Sequence, residues 1–187
     1  MKKTSIVLLS FAMLLFVDIN HSFAQQKIVP GPEWNFVLGD WVGDGTGKPG
    51  ESKGWFTFNK DLDGNILVRK NHNVIPAANG KPEAIHDDLL IVYLDNSGAL
   101  TKAIYFDNEN HVINYAVSFN QTDKSLIFTS EAQPNTPRFR LTYKATDNNG
   151  LNIDFEFAPP NKPEAFSKYI SGKAHRKTAS DTFYKFN

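Results

Sequence analysis

The sequence predicts an all-β fold, a single antiparallel up-and-down β-barrel of about ten strands. Three observations support this prediction. Short segments of alternating apolar and polar residues recur about every 8 to 14 residues, turn-forming residues separate them, and no long stretch has the periodicity of a helix. Neighbouring segments also present apolar faces that coincide when they are paired as hairpins, as expected of a sheet that curls around its apolar side.

Residues 1–24 have the pattern of a secretory signal peptide, with Lys2 and Lys3 before an apolar run and Ser22-Phe23-Ala24 at its end. The remaining residues, 25–187, fit one domain, which we expect to be the barrel. The apolar run is shorter than the roughly 20 residues that span a bilayer. We therefore expect an exported protein, periplasmic or extracellular, with no integral membrane segment once the signal is removed.

The composition excludes some classes of partner. Without residues 1–24 the chain has 18 basic and 19 acidic residues, so it lacks the charge excess of proteins that bind nucleic acid or anionic membranes. The sequence contains no cysteine, which agrees with a domain large enough to bury a core without disulfides.

Ten strands are predicted between residues 25 and 187. They cover 37–45, 53–60, 65–75, 84–95, 100–107, 111–119, 124–131, 137–145, 150–158 and 165–176. Residues that tolerate turn dihedrals separate several of them, in the runs Asp63-Gly64, Asn79-Gly80, Asn96-Ser97-Gly98, Asn108-Glu109-Asn110 and Asn148-Asn149-Gly150. Two single helical turns are predicted, one over 32–37 at the barrel entrance and one over 163–170.

The segment 111–119 has apolar residues at its odd positions, so its period is two. A four-residue turn at 120–123 would pair Phe119 with Lys124 and bring Val117 opposite Leu126. The apolar faces of the two segments then coincide.

The next hairpin gives an independent test of the same pattern. Pairing Leu141 with Phe155 aligns the apolar residues of both segments on one face. The same register sets Arg140 opposite Glu156 on the other face, where opposite charges favour the pairing.

The first strand contains the run Gly39-Asp40-Trp41, preceded by Phe36 and Leu38, and the last strand contains a basic residue, Arg176 or Lys173. This combination resembles the calycin superfamily. That superfamily includes lipocalins, fatty-acid-binding proteins and the ten-stranded nitrobindin-type barrels. The resemblance implies that the tryptophan closes one end of the barrel and that the basic side chain lies across its ring, an arrangement that cation-π attraction favours. Gly39, Trp41 and Arg176 would then have a structural role.

Two differences from other calycins indicate which members of the superfamily the chain resembles most. Fatty-acid-binding proteins carry a two-helix lid after the first strand, whereas residues 44–53 are a short segment rich in Gly, Pro and polar residues. Lipocalins usually have eight strands, so the strand count is nearest to the nitrobindin-type barrels. Those proteins bind haem through a histidine near the C-terminus, which makes His175 a candidate haem ligand, although the residues around it do not match that family's local pattern. No other cofactor or metal is expected.

A closed barrel of this size is either packed shut or holds one small molecule. Aromatic and histidine side chains along the strands are the candidates to line such a lumen. They are Trp55, His72, His86, Tyr93, Tyr105, Tyr115, Phe128, Tyr143 and Phe155. The sequence therefore predicts a non-catalytic exported barrel that binds a small apolar or amphipathic molecule in its lumen. A haem-binding, nitrobindin-like protein is one alternative.

A small-molecule isomerase or hydrolase is a second alternative, and a barrel that serves only as a scaffold for protein contacts is a third. His86 and Asp88, with His72 across the sheet, are the one cluster predicted to form a polar site in the lumen. Successive strand side chains point to opposite faces, so His86 and Asp87 do not converge on one metal ion. Asp107 and His111 flank a tight hairpin, and turn chemistry accounts for both. The sequence contains no nucleophile elbow, phosphate-binding glycine loop or zinc motif.

Overall fold

The computed structural model describes residues 30–48 and 51–181, and these form a closed antiparallel β-barrel. The strands follow one another around the ring in chain order, and the first pairs with the last. They are β1 Gly39–Gly43, β2 Lys53–Asp61, β3 Ile66–Ile75, β4 Ala84–Tyr93, β5 Lys102–Asp107, β6 Val112–Asn120, β7 Ser125–Ser130, β8 Arg138–Ala145, β9 Gly150–Ala158 and β10 Ser167–Arg176. The predicted fold class is confirmed. The predicted signal peptide, 1–24, lies outside the described residues.

Helical structure in the described part of the chain is limited to two 3₁₀ segments, Pro32–Trp34 and Leu62–Gly64. The first begins with proline, whose fixed φ suits the start of a helix. It is shorter than the predicted turn over 32–37, and it buries Trp34 before the chain enters β1. The predicted turn over 163–170 is wrong, because β10 already begins at Ser167.

An Asn-Gly turn sets the register between β3 and β4. Asn79 and Gly80 both have positive φ, 52° and 76°, as a two-residue hairpin turn of type I′ requires. Ala78 and Lys81 pair directly across this turn. The register continues down the strands and sets Asn71 opposite Asp88.

The predicted pairing of β8 with β9 is confirmed. Leu141 lies opposite Phe155, and Arg140 lies opposite Glu156. Arg140 donates two hydrogen bonds to the carboxylate of Glu156, from Nε at 2.6 Å and from Nη2 at 2.8 Å. The charge pair and the apolar faces require the same register.

The predicted register of β6 with β7 is wrong by two residues. Phe119 pairs with Leu126 instead of Lys124, and Val117 pairs with Phe128 instead of Leu126. Lys124 adopts a positive φ of 50° and belongs to the turn, so the first pair after the loop is one residue later on each strand. A two-residue shift keeps every side chain on its face, so the alternation of apolar residues does not distinguish the two registers.

One end of the barrel, here called the sealed end, is closed around Trp41. Its indole Nε1 donates a 2.7 Å hydrogen bond to the carbonyl of Val37. The guanidinium carbon of Arg176 lies 4.5 Å from the centroid of the indole ring. Arg176 also donates to the carbonyl oxygens of Leu38 and Phe36, at 2.7 and 3.2 Å. One side chain from β10 thus holds the N-terminal segment over the tryptophan.

Gly39 is required where the chain enters β1. Its φ is 111°, in the region that favours glycine, and a Cβ placed there would lie 3.0 Å from Nη1 of Arg176. The close approach of Arg176 to the backbone of Leu38 therefore depends on the absence of a side chain at this position.

The half of the barrel next to the sealed end is filled by interlocking aromatic rings. Tyr143 makes edge-on contacts with Phe58 and Phe128, with ring centroids 5.5 and 6.0 Å apart. Phe56 stacks on Trp41 at 6.0 Å. Such pairs stabilise a core beyond the area that they bury. The opposite half of the interior, towards the loops 76–83, 108–111, 131–137 and 159–166, is here called the open end.

Candidate functional site

Inward-facing polar side chains form one wall of the barrel interior, on three neighbouring strands. The core contains Leu90 and Val92 of β4 and Ala103 of β5. Residues two or four positions from these along the same strand lie on the same face and also point inwards. The polar residues at these inward positions, here called the polar wall, are Arg69 and Asn71 of β3, His86 and Asp88 of β4, and Tyr105 and Asp107 of β5. The β3–β4 register brings the amide of Asn71 beside the carboxylate of Asp88.

A buried ion pair lies at the centre of the polar wall. Nη1 of Arg69 donates a hydrogen bond to Oδ1 of Asp88, and only 8% and 4% of the two side chains is exposed. Nδ2 of Asn71 donates to the other oxygen of Asp88 at 2.9 Å. The guanidinium carbon also lies 5.4 Å from the centroid of the Phe56 ring. Burial opposes the charge on Arg69, but Asp88 outweighs burial and raises the pKa of the guanidinium.

His86 connects this ion pair to the open end. Its Nε2 lies 3.5 Å from Oδ2 of Asp88 and 3.2 Å from the hydroxyl of Tyr105, and its Nδ1 lies 3.0 Å from Oε1 of Glu109. The contact with Asp88, opposed by burial and supported by Glu109, raises the pKa of His86 to about 9. At neutral pH the ring is therefore an imidazolium that donates from both nitrogens.

Asp107 ends the polar wall beside the β5–β6 turn. Its Oδ2 accepts from the hydroxyl of Tyr105 at 3.3 Å and from Nδ1 of His111 at 2.8 Å. Its Oδ1 accepts the backbone N–H groups of Glu109 and His111, at 3.0 and 2.9 Å. Burial opposes the ionisation of Asp107, but these hydrogen bonds outweigh it and lower the pKa of the carboxyl. Asp107 and His111 thus make the turn contacts expected from the sequence, and Asp107 also joins the polar wall.

We expect the charge on His86 to make the folded state more stable at neutral than at alkaline pH. Its pKa of about 9 in the folded protein is above the roughly 6.5 of an unfolded histidine. The stabilisation is complete below the unfolded pKa and is lost as the pH rises through the folded one. We therefore expect the free energy of unfolding, measured with urea at several pH values between 6 and 10, to fall less with rising pH for His86→Gln than for the native protein. Identical declines would contradict this assignment.

An apolar wall lies across the lumen from the polar wall. In a ring of ten strands, β9 is five strands from β4, so the two face each other. The inward residues here are Phe139 and Leu141 of β8, Ile153 and Phe155 of β9, and Ile170 and Gly172 of β10. Ile170 points inwards and is still 57% exposed. Gly172 is exposed as well, and a Cβ placed on it would have no heavy atom within 4 Å. The interior is therefore not filled beside β10.

The structure places six of the nine predicted lumen residues inside the barrel and three outside. The inward six are His86, Tyr105, Tyr115, Phe128, Tyr143 and Phe155. Trp55, His72 and Tyr93 lie on the outer face instead. The reason is strand parity. Phe56 and Phe58 of β2 and Leu90 and Val92 of β4 belong to the hydrophobic core, so their neighbours Trp55 and Tyr93 point outwards.

His72 lies beside Trp55 on the outer face, in the position directly across from it. The two rings stack with centroids 5.8 Å apart, and Nδ1 of His72 lies 2.6 Å from Oδ1 of Asp87. Two shallow hollows of about 400 and 470 Å³ adjoin the stacked rings. His72 therefore does not join His86 and Asp88, and the three residues predicted as a cluster are divided between the two faces.

His175 also lies on the outer face. Its neighbour Ala174 is buried in the core, so the imidazole points away from the lumen. Its Nδ1 lies 2.6 Å from Oδ1 of Asp44, and its Nε2 lies 3.5 Å from Oδ2 of Asp181. The contact with Asp44 raises the pKa of His175. A haem inside the barrel would not reach this ring, so the residues around His175 do not fit that cofactor.

Sequence reasoning missed Arg69 and Asn71. A signal for them was present in the Asn79-Gly80 turn. Counting outwards from a two-residue turn sets Asn71 opposite Asp88, with Arg69 one inward position further along the same strand. A basic residue and an amide facing a carboxylate on one side of a hairpin indicate a buried polar cluster.

No protein-family model matches the sequence, and no curated protein shows significant similarity to it. Within residues 30–48 and 51–181 no helix has the length and apolar character needed to cross a bilayer.

Proposed function

We propose that this protein is an exported binding protein that holds one small amphipathic molecule in the open end of its barrel. The observation that carries the proposal is the opposition of two unlike walls across an interior that is not filled beside β10. Arg69, Asp88 and His86 form part of one wall, and Phe155 and Ile170 form part of the other. A molecule with a polar end and an apolar body matches both walls at once.

We further propose that the chain is a calycin-type barrel, nearest in strand count to the nitrobindin-type members. The closed ring of ten strands and the stacking of Arg176 on Trp41 support this assignment. The signal-like pattern of residues 1–24 supports export to the periplasm or the extracellular space.

A small ligand with an apolar body is expected to bind with modest affinity. Burial of about 400 Å² of apolar ligand surface contributes about 10 kcal/mol at about 25 cal/mol per Å². Association opposes this with at least about 4 kcal/mol. The remainder corresponds to a Kd of tens of micromolar, roughly, before any hydrogen bond to the polar wall is counted.

A side chain placed at Gly172 will block the site. Gly172→Phe directs a ring into the gap beside β10, and its Cβ is accommodated, since nothing lies within 4 Å of that position. We expect a titration with the neutral dye Nile red to saturate at one dye per native chain, and the affinity of Gly172→Phe to be at least about tenfold lower.

Lys173→Phe is the matched control for this variant. Lys173 adjoins Gly172 in β10 and points to the outer face, so the same new ring lies outside the lumen. We expect this variant to bind Nile red as the native protein does. Equal affinities for Gly172→Phe and the native protein, or no saturable binding by either, would overturn the proposed function.

A further inference from the structure

The wall of the barrel is not hydrogen-bonded along its whole height where the last strand meets the first. The ladder between β1 and β10 contains only three residue pairs. A last backbone hydrogen bond of 2.9 Å runs from the N–H of Asp44 to the carbonyl of Lys173. Beyond it, residues 167–172 of β10 pair with β9 alone, and their other edge has no backbone partner among the described residues. The opening beside this edge is here called the side gap.

The connection from β1 to β2 leans away from the side gap. Thr46 and Gly47 line one of the hollows on the outer face together with His72 of β3. A Cβ placed on Gly47 would lie 3.4 Å from the Cβ of Lys53, at the start of β2. The chain after Asp44 therefore follows β2 and β3, and separates from β10.

The side gap adjoins the unfilled part of the lumen. Ile170 and Gly172 point inwards from this part of β10, and both are exposed. The outward residues between and after them, Ser171 and Lys173, are exposed as well. Both faces of this part of β10 are therefore open to solvent, with only its free edge between them.

The free edge is protected against the addition of another strand. An unpaired edge is in general a place where an extended segment of another protein pairs. Here a bulge between Lys168 and Ile170 interrupts the pairing with β9, and Lys168 and Lys173 add charge beside the edge. Bulges and lysines are the means by which natural sheets prevent such pairing. The side gap is therefore better suited to a small molecule than to a protein strand.

The side gap also suits the apolar part of a ligand better than the opening at the end of the barrel. The loop 108–111 at that end carries Glu109 and His111, both more than half exposed. The side gap is bordered instead by Ile170 and by Tyr169, whose ring contacts Phe155 of the apolar wall at a centroid distance of 6.3 Å. An apolar body that passes these side chains does not strip water from charged groups, which is costly.

We propose that the lumen ligand enters and leaves the barrel sideways, through the side gap between residues 167–172 of β10 and the chain after Asp44. This inference rests on the proposed function, and it adds the route by which the ligand exchanges. It also gives a reason for the glycine at position 172, because any side chain there would project towards the passage.

The test places a bulky group beside each route in turn and measures the kinetics of exchange. The sequence contains no cysteine, so biotin-maleimide labels only Ser171→Cys beside the side gap, or only Gln133→Cys in the loop 131–137 at the open end. Both native side chains are exposed, and Ser171 points away from the lumen. Monovalent streptavidin then covers one route at a time. Stopped-flow fluorescence of Nile red gives the association and dissociation rate constants before and after its addition, with streptavidin alone as the blank.

We expect streptavidin on Ser171→Cys to lower both rate constants at least about tenfold and to change Kd by less than about threefold, because it obstructs the passage without contacting the bound dye. On Gln133→Cys, the matched control, it should change neither rate constant by more than about twofold.

Slowing at Gln133→Cys alone, equal slowing at both positions, or slowing at neither would overturn the inference. In each of these cases the dye still saturates the unlabelled protein, and lumen binding stands. Absence of saturable binding to the unlabelled protein would instead remove the proposed function, and this inference with it.

Discussion

Replacement of Asp88 by alanine will lower the free energy of unfolding by about 3–5 kcal/mol, because it leaves the guanidinium of Arg69 buried without its partner. Both side chains are almost fully buried, with 8% and 4% exposure, and Asp88 also accepts from Asn71. Urea unfolding followed by tryptophan fluorescence measures the change.

Asp87→Ala is the matched control, one residue away on the outer face. The side chain of Asp87 is 53% exposed and pairs with His72. We therefore expect Asp87→Ala to lower the free energy of unfolding by about 1 kcal/mol or less. In the double variant Arg69→Met with Asp88→Leu no buried charge remains, and we expect most of the stability to return. Equal losses in Asp88→Ala and Asp87→Ala would show that the ion pair is not buried as described.

Trp41→Ala will cause a loss of similar size, about 3–5 kcal/mol, because it removes a large buried side chain. Trp41 is 1% exposed, stacks on Phe56 and lies under Arg176. The variant also removes the hydrogen bond to Val37 that fixes the N-terminal segment over the sealed end. Thermal unfolding by circular dichroism will report the change, and a domain of this size loses about 2–4 °C in Tm for each kcal/mol.

Trp55→Ala provides the comparison within the same barrel. Trp55 stacks on His72 at the outer face and is only partly buried, so its removal leaves the core packing intact. We expect a clearly smaller loss of Tm than for Trp41→Ala. A loss of Tm as large as that of Trp41→Ala would contradict the assignment of Trp41 to the core and of Trp55 to the outer face.

The contrast between two hairpins shows what the sequence could predict. In β8 and β9 the apolar faces and the Arg140–Glu156 charge pair require the same register, and the prediction was correct. In β6 and β7 only the apolar alternation was available, and alternation is unchanged by a two-residue shift. The turn residue Lys124, which adopts positive φ without being Gly or Asn, gave no warning of that shift.

The candidate site was predictable only in part, for a similar reason. Trp55 and Phe56 are both aromatic, so residue type did not show which of them points inwards. Arg69 looks like a surface residue, because charged side chains are almost never fully buried unless they are paired, and its partner lies on another strand. That partner, Asp88, becomes visible only when the register of β3 with β4 is known.

The central claim is that the open end of the barrel is a binding site and not merely an unfilled interior. Native mass spectrometry of the protein purified from its own host tests this most directly. The account predicts one small molecule retained per native chain and released on unfolding, with the Gly172→Phe variant carrying none. Detection of the bare chain mass for both proteins, or of the same adduct on both, would contradict it.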